Sequence, residues 1–316
     1  MRSILSELIS WLKGCKYGYT YKDKIVLFLY IFNAIIIIIF IIGIFGKNKL
    51  IDIYFKRTYL LNWIPVKSVL VKIDGAILSL PMILDYIILV KPDWEEKERE
   101  FMTQLNLNYN NNNAIVMDIG ANIGIYTILL SHIYPKAKII AIEASPTIFE
   151  MLKSNCKLNN LVFPSRSNIL LINKAISDKD DITTEFYEKH SMSTMLKEFL
   201  TNLSSTILTN QDELNKRVVR TITIDNLVET IGVNEISLLK IDVEGAEVLA
   251  LKGAIKTLTH KKIKNMVIEY HSLENYNYIV KLLEEKELGY TIVNSQERFN
   301  KEKEFVNGHI IAILQE

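Results

Sequence analysis

Hydrophobic and polar positions fall into three regimes along the 316 residues. The first is an apolar run from Ile25 to Gly46, IVLFLYIFNAIIIIIFIIGIFG, in which Asn33 is the polar interruption. As a helix, this stretch rises roughly 33 Å, about the thickness of a bilayer hydrocarbon core. Tyr17, Tyr19, Tyr21 and Tyr30 sit near one end and Tyr54 and Trp63 beyond the other, where interface anchors belong. A signal peptide has a shorter apolar core followed by a small-residue cleavage site, and neither feature is present. The pattern predicts a transmembrane helix over residues 25–46 in a single-pass membrane protein. In the segment 1–24, Ile4, Leu5, Leu8, Ile9 and Leu12 recur at helical spacing, so it reads as amphipathic and lying along the interface. Arg2, Lys13, Lys16, Lys22 and Lys24 precede the span, and Lys47, Lys49, Lys56, Arg57 and Lys67 follow it. That balance leaves membrane orientation open.

The second regime, residues 47–113, reads as a linker followed by the first strands and helix of the globular part. The run Ile77 to Val90 is too short for a second span and contains Pro81 and Asp85. With Asp74-Gly75 before it, it predicts a β-hairpin. Lys91 to Leu105 predicts a charged helix with Trp94, Phe101 and Leu105 facing inward, and Asn106 to Asn113 a turn-forming loop.

The third regime, residues 114–316, alternates strand and helix patterns. Strands are predicted at 114–119, 138–142, 169–172, 218–224, 236–241, 266–270, 290–293 and 309–314. Helices are predicted at 122–133, 146–158, from Asp225, and at 246–258 and 273–286, with a hairpin insertion within 177–196. Such alternation implies right-handed crossovers and a doubly wound, mostly parallel α/β sheet, with the last two strands forming an antiparallel edge.

Composition narrows the function. The 37 basic and 36 acidic residues leave a net charge of +1, which disfavours a nucleic-acid binder. Cys15 and Cys156 are too few for a disulfide framework or a thiolate metal cluster. In a doubly wound sheet, ligands bind beyond the carboxyl ends of the strands. After the first of these strands stand Asp118, Gly120, Asn122 and Gly124, and the two glycines let backbone approach a ligand. After the second stands Glu143, a carboxylate able to accept both hydroxyls of a ribose. A nucleoside crevice follows, although a nicotinamide dinucleotide site would also carry an acid about 20 positions on. The GxxxG spacing, with no third glycine between, supports a pyrophosphate cradle poorly. Further along, Asp242, Glu244 and Glu247 crowd one strand end and Glu269 and His271 the next. Carboxylates gathered in that way need a cation, a ligand or a hydrogen-bonded network. Oxygen donors at Asp242 and Glu269 would suit Mg²⁺, but the pattern assigns no metal site.

VMDIGANIGIYT (Val116 to Thr127), AIEASP (Ala141 to Pro146), NKAIS (Asn173 to Ser177), SMSTM (Ser191 to Met195) and LLKIDVEGAEVLALKGA (Leu238 to Ala254) together resemble the FkbM-type S-adenosylmethionine-dependent methyltransferases. The resemblance runs from about residue 70 to the end and excludes the N-terminal apolar run. It implies a class I methyltransferase-like, Rossmann-like fold with S-adenosyl-L-methionine as cofactor. Asp118, Gly120, Asn122 and Gly124 would hold the methionine moiety and Glu143 the ribose. Asn173 and Ala175 would bracket the adenine, and Asp242 would face the sulfonium. Ser191 to Thr194 matches a serine-rich segment with a lid or acceptor-contact role, and His190 departs from the small residues expected there. The expected reaction is O-methylation of a hydroxyl on a glycan, lipid-linked or secondary-metabolite acceptor. Its base would come from Asp242, Glu244, Glu269 or His271, of which His271 has the best-matched intrinsic pKa. The span implies a membrane-associated acceptor and cofactor supply a cytoplasmic catalytic domain. Acceptor choice falls to variable loops at 178–217. A nicotinamide-dependent oxidoreductase and a catalytically silent membrane scaffold are the competing readings.

Overall fold

The computed structural model describes residues 12–13, 15–32, 68–81, 86, 95–105, 107, 114–161, 168–189, 192–194, 215–295, 298–299 and 306–315. The chain divides into two compact units, residues 1–96 with 201–213, and residues 97–200 with 214–316.

In the first unit, β1 (Ser68–Ile73) and β2 (Ala76–Pro81) form the expected antiparallel hairpin. Its turn residues Asp74 and Gly75 take φ of 46° and 94°, the left-handed pair a two-residue hairpin requires. Val69, Val71, Ile73, Ala76, Leu78 and Leu80 are buried and alternate with more exposed positions, so one face of the ribbon is apolar. Residues 21–32 are helical. The Asp23 carboxylate caps this helix by accepting from the Thr20 N–H at 2.9 Å and ties it to the hairpin by accepting from the Leu70 N–H at 3.2 Å.

This corrects the transmembrane expectation. Among the described residues, no helix is long and apolar enough to cross a membrane. The helix that enters the apolar run begins with Lys22, Asp23 and Lys24, and it buries Leu27, Tyr30 and Ile31 while leaving Ile25, Phe28, Leu29 and Phe32 exposed. That is the one-sided burial of a packed helix. Residues 33–46 of the expected span lie outside the described residues, as do residues 1–11 of the amphipathic segment. The single-pass placement, the membrane partner and the membrane-bound acceptor built on the span lose their support.

The second unit carries the α/β fold. After α1 (Glu96–Gln104) come β3 (Ile115–Ile119), α2 (Ile125–Ile133), β4 (Lys138–Ile142), α3 (Pro146–Leu158), β5 (Ile169–Ile172) and β6 (Ala175–Ile176). Then follow β7 (Thr183–Lys189), β8 (Met192–Thr194), β9 (Asn215–Ile222), α4 (Ile224–Ile231), β10 (Leu238–Ile241), α5 (Glu247–Lys252) and α6 (Ile255–Thr259). The chain closes with β11 (Asn265–Tyr270), α7 (Leu273–Leu283), β12 (Tyr290–Ser295), β13 (Arg298–Phe299) and β14 (Val306–Leu314). The main sheet runs β12-β14-β11-β10-β3-β4-β5. From β11 to β5 the pairs are parallel, whereas β14 is antiparallel to both β11 and β12. The antiparallel edge is thus real, with the last strand inserted inside it. A second sheet, β6-β9-β7-β8, contains the predicted hairpin insertion.

One face of the main sheet is an apolar core in which Met117, Ile119, Leu239, Ile241, Met266 and Ile268 meet residues of α4 to α7. Period-two alternation sends Asp118, Lys240, Glu269 and His309 to the other face. Asp118 and Lys240 are register partners, as are Glu269 and His309. A polar stripe therefore crosses four adjacent strands.

Two helix boundaries differ from the periodicity. The helix expected from Asn122 begins at Ile125, because Gly120, Asn122 and Gly124 adopt φ of 75°, 51° and 95° and form a turn. The helix expected over 246–258 is two helices. It breaks where Gly253 approaches so closely that a Cβ would lie 2.2 Å from the Ser177 carbonyl oxygen. The Asp225 carboxylate restarts it, accepting from the N–H groups of Lys256 (3.0 Å) and Thr257 (2.8 Å). In α1, Glu98 and Met102 are buried while Phe101 and Leu105 are only partly so. Trp94 lies outside the described residues.

Candidate active site

Strand order reverses between β3 and β10, since the chain moves outward from β3 through β4 to β5 and then returns to β10. At the carboxyl ends there, a crevice opens between the turns that follow β3, β4 and β10. Gly120, Asn122, Glu143, Ala175, Asp242 and Glu244 line it, and Ile142, Ala144, Ile148, Ile176 and Phe186 supply its apolar walls.

The β3 turn is shaped by close approach. A Cβ on Gly120 would fall 1.6 Å from the Asp242 carbonyl oxygen, so glycine lets the tips of β3 and β10 meet. Gly120 and Ala121 both donate to the Ile142 carbonyl, at 2.9 and 3.0 Å, joining this turn to β4. Glu143 then accepts from Asn122 N–H at 2.9 Å on one oxygen and from Ser145 N–H at 2.8 Å on the other. Each oxygen retains lone pairs for a ligand. Burial pushes this carboxyl up to about 7, the two N–H donors oppose the rise, and the charges of Asp242 and Asp118 add to it.

Three residues expected to touch cofactor make contacts that build the crevice. Asp118 is fully buried, accepts from the Thr127 hydroxyl at 2.6 Å and lies 3.8 Å from Lys240. Gly124 gives Leu152 of α3 the space a Cβ would occupy, 2.6 Å from its Cδ1. The Asn173 amide donates to the carbonyls of Glu143 (2.8 Å) and Ala144 (3.0 Å), fixing the loop after β4.

On the far side lies an acidic group around one imidazole. His271, 6% exposed, pairs through Nδ1 with Glu247 at 2.8 Å. Its Nε2 faces Glu244 at 3.3 Å, Glu269 at 3.6 Å and Asp242 at 4.0 Å. Glu247 is fully buried and also accepts from the Gly245 N–H and the Asn275 amide. Burial works against a charge on His271, but Glu247, Glu244 and Glu269 outweigh it and hold the imidazole protonated well above its ordinary pKa. Burial, together with Asp242, Glu269 and Glu247, pushes Glu244 up to about 8 despite His271. Burial also raises Asp242, with Lys240 opposing. Glu269 is held down at about 2: burial would raise it, but its hydrogen bond to His309 and the charges of His271, His309 and Lys240 prevail. Asp242, Glu269 and His271 bring one ligand atom each within 4.8 Å of one another. As the imidazolium, His271 neutralises that group itself.

Two contributors escaped the sequence reading. Lys240 lies 3.2 Å from Asp242 and 5.0 Å from the centre of the Tyr126 ring. Its signal was a lysine inside the buried strand LLKI, two positions before Asp242 and therefore on the same face. Phe186 enters the crevice wall from β7, and no local pattern marks it.

A family model, the methyltransferase FkbM domain, matches residues 118–292. The chain belongs to this family. The FkbM match begins at Asp118 and covers the glycine turn, Glu143 and the whole acidic group, a shorter span than the resemblance from residue 70 implied. The chain is 27% identical over 176 residues to methyltransferase sdnD of Sordaria araneosa, covering 50% of this chain and 66% of that protein. It is 27% identical over 195 residues to the hexuronic acid methyltransferase AglP of Haloferax volcanii, covering 61% of this chain and 70% of that protein. A solved FkbM methyltransferase from Methylobacillus flagellatus aligns with a TM-score of 0.40 at 14% identity, covering 72% of this chain and 53% of the other.

Proposed function

We propose that this FkbM domain binds S-adenosylmethionine in the crevice and transfers a methyl group to a hydroxyl oxygen of a small-molecule or glycan acceptor. The observation that carries this reading is the convergence of Gly120, Glu143 and Asp242 where strand order reverses. Bare backbone, a ribose acceptor and an anion meet there against apolar walls. The donor set fits the cofactor: Gly120 and Asn122 would hold its amino-acid end and Glu143 its ribose hydroxyls. Ile148, Ala175, Ile176 and Phe186 would enclose the base, with Asp242 beside the cationic sulfur. When bound, the cofactor supplies an electrophilic methyl group on a positively charged sulfur. The protein's task is then alignment of the acceptor oxygen and removal of its proton.

That proton goes most readily to Glu244, which lines the crevice and has its proton affinity tuned to about 8. His271, already protonated, stabilises the anionic carboxylates, and Glu269 at about 2 is too weak a base. The name of the Haloferax relative brings a hexuronic acid into view as an acceptor class.

Calorimetric titration with S-adenosylhomocysteine tests the binding half, with NADH as the comparison ligand. Saturable binding of the first alone is expected, and binding of NADH alone would overturn the reading. Glu143→Gln should weaken the S-adenosylhomocysteine complex about 10–100-fold, the worth of hydrogen bonds to a charged group. The ribose hydroxyls donate to the ionised carboxylate, and Glu143 ionises at about 7. Wild-type affinity should therefore be full above that pH and fall as pH drops through it, and the variant should lack this dependence. Glu244→Gln should leave S-adenosylhomocysteine affinity in place while lowering methyl transfer about 100-fold. Labelled methyl incorporated into a panel of neutral and acidic monosaccharides measures that rate. Undiminished transfer would remove Glu244 as the base.

A further inference from the structure

The polar stripe on the sheet extends beyond the crevice. Glu269 and His309 are direct register partners across β11 and β14, with Glu269 Oε2 3.4 Å from His309 Nε2. The other ring nitrogen, Nδ1, lies 3.2 Å from Oε1 of Glu98 on α1. Glu98 is 2% exposed and His309 5%. Acids and imidazoles thus alternate in one chain, Glu98–His309–Glu269–His271–Glu247, buried except at the partly exposed Glu269, and its inner end is the group beside the crevice. Glu269 spends its two oxygens on the two imidazoles, Oε2 on His309 and Oε1 on His271 at 3.6 Å. An imidazole set between two carboxylates can turn an N–H toward each only as the imidazolium. A carboxylate with one oxygen facing each of two rings has little freedom to rotate.

We propose that His309, anchored by Glu98, is a positioning residue for the active site: it holds Glu269 so that its second oxygen faces His271 and fixes that imidazole against Glu244. This deepens the methyl-transfer reading and rests on it only for the use made of Glu244. Both Glu98 and His309 lie outside the span that matches the family model, residues 118–292.

Titration of the Glu269 carboxyl by ¹³C NMR, on the full-length protein labelled at glutamate and assigned with Glu269→Gln, tests the proposal without any acceptor. The groups facing Glu269 include His309 of β14, His271, Lys240 of β10, and Asp242 and Glu244 of the following loop. With His309 in place, the resonance should stay flat between about pH 4.5 and 8, because nearby cations keep the carboxylate ionised. His309→Leu removes the donor and its charge, and the midpoint should rise by about 3 units into that window. His309→Gln keeps an N–H donor and should return the resonance most of the way to wild type. A flat resonance in a folded His309→Leu protein would overturn the proposal. So would equal shifts in the Leu and Gln variants, because that pattern reports lost packing. If His309→Leu does not fold, Glu98→Gln carries the test: loosening of the ring should move the Glu269 midpoint upward, and no movement overturns the proposal. S-adenosylhomocysteine binding, measured separately, reports on the methyl-transfer reading, so the two can fail independently.

Discussion

Gly120→Ala is expected to lower the thermal midpoint by more than 10 °C and to abolish S-adenosylhomocysteine binding. Two costs combine. The residue has φ of 75°, where a Cβ costs about 1–2 kcal/mol. That Cβ would also sit 1.6 Å from the Asp242 carbonyl oxygen, which is backbone and cannot rotate aside. The tips of β3 and β10 would have to separate, breaking the bonds from Gly120 and Ala121 to Ile142 and carrying Asp242 away from Glu143. The expected loss exceeds about 4 kcal/mol, in the range reserved for such named defects. At about 2–4 °C per kcal/mol for a unit of this size, the shift is large. Gly232→Ala is the matched control. Its φ is 70° but nothing lies within 4 Å of its Cβ position, so only the backbone term remains. Midpoints for the two variants within a few degrees of each other would show that the strand tips tolerate the added atom.

That contrast also separates what the sequence disclosed from what it did not. Elements whose ends carry their own chemistry were legible. Pro146 opens α3 behind its cap Ser145, and Asp74-Gly75 makes the β1–β2 turn. The crevice is legible in outline because ligands bind at the strand tips of a parallel sheet, which points to Gly120, Glu143 and the acids from Asp242 on, while the family resemblance is what joins Asp242 to the cofactor. The division of labour among the acids was not. Asp118 and Asp242 look alike in sequence, yet one is buried beneath the turn and the other lines the crevice. His271 reads as a base from its intrinsic pKa and becomes a cation once Glu247, Glu244 and Glu269 surround it. Glu98 and His309 gave no local sign, because their partnership is a register across strands far apart in the chain. The apolar run at 25–46 misled for the opposite reason. Composition reports how apolar a segment is and not what it packs against, and the helix entering the run buries Leu27, Tyr30 and Ile31 on one side.

Lys240→Met is expected to cost about 3–5 kcal/mol, the usual penalty for removing one partner of a buried ionic group. Lys240 is 5% exposed and is the cation within reach of both Asp118, at 3.8 Å, and Asp242, at 3.2 Å. Methionine preserves its packing on the Tyr126 ring but removes the ammonium 3.8 Å from Asp118, leaving that carboxylate its hydrogen bond from the Thr127 hydroxyl. The deficit should depend on pH through Asp242. Burial already raises its pKa in the folded state, Lys240 opposes that rise, and the variant raises it further. A carboxyl with a folded pKa above its unfolded value loses stability as pH climbs from the unfolded value through the folded one. The gap between variant and wild type should therefore be smallest below about pH 4 and widen toward neutrality. Adding Asp118→Asn to Lys240→Met should recover part of the loss, because the double variant buries one charge fewer. Chemical denaturation of all four proteins yields a coupling energy, expected at about 1–3 kcal/mol for residues in direct ionic contact. Strict additivity would show that Lys240 serves Asp242 alone and that the Asp118 carboxylate is held by its hydrogen bond to Thr127.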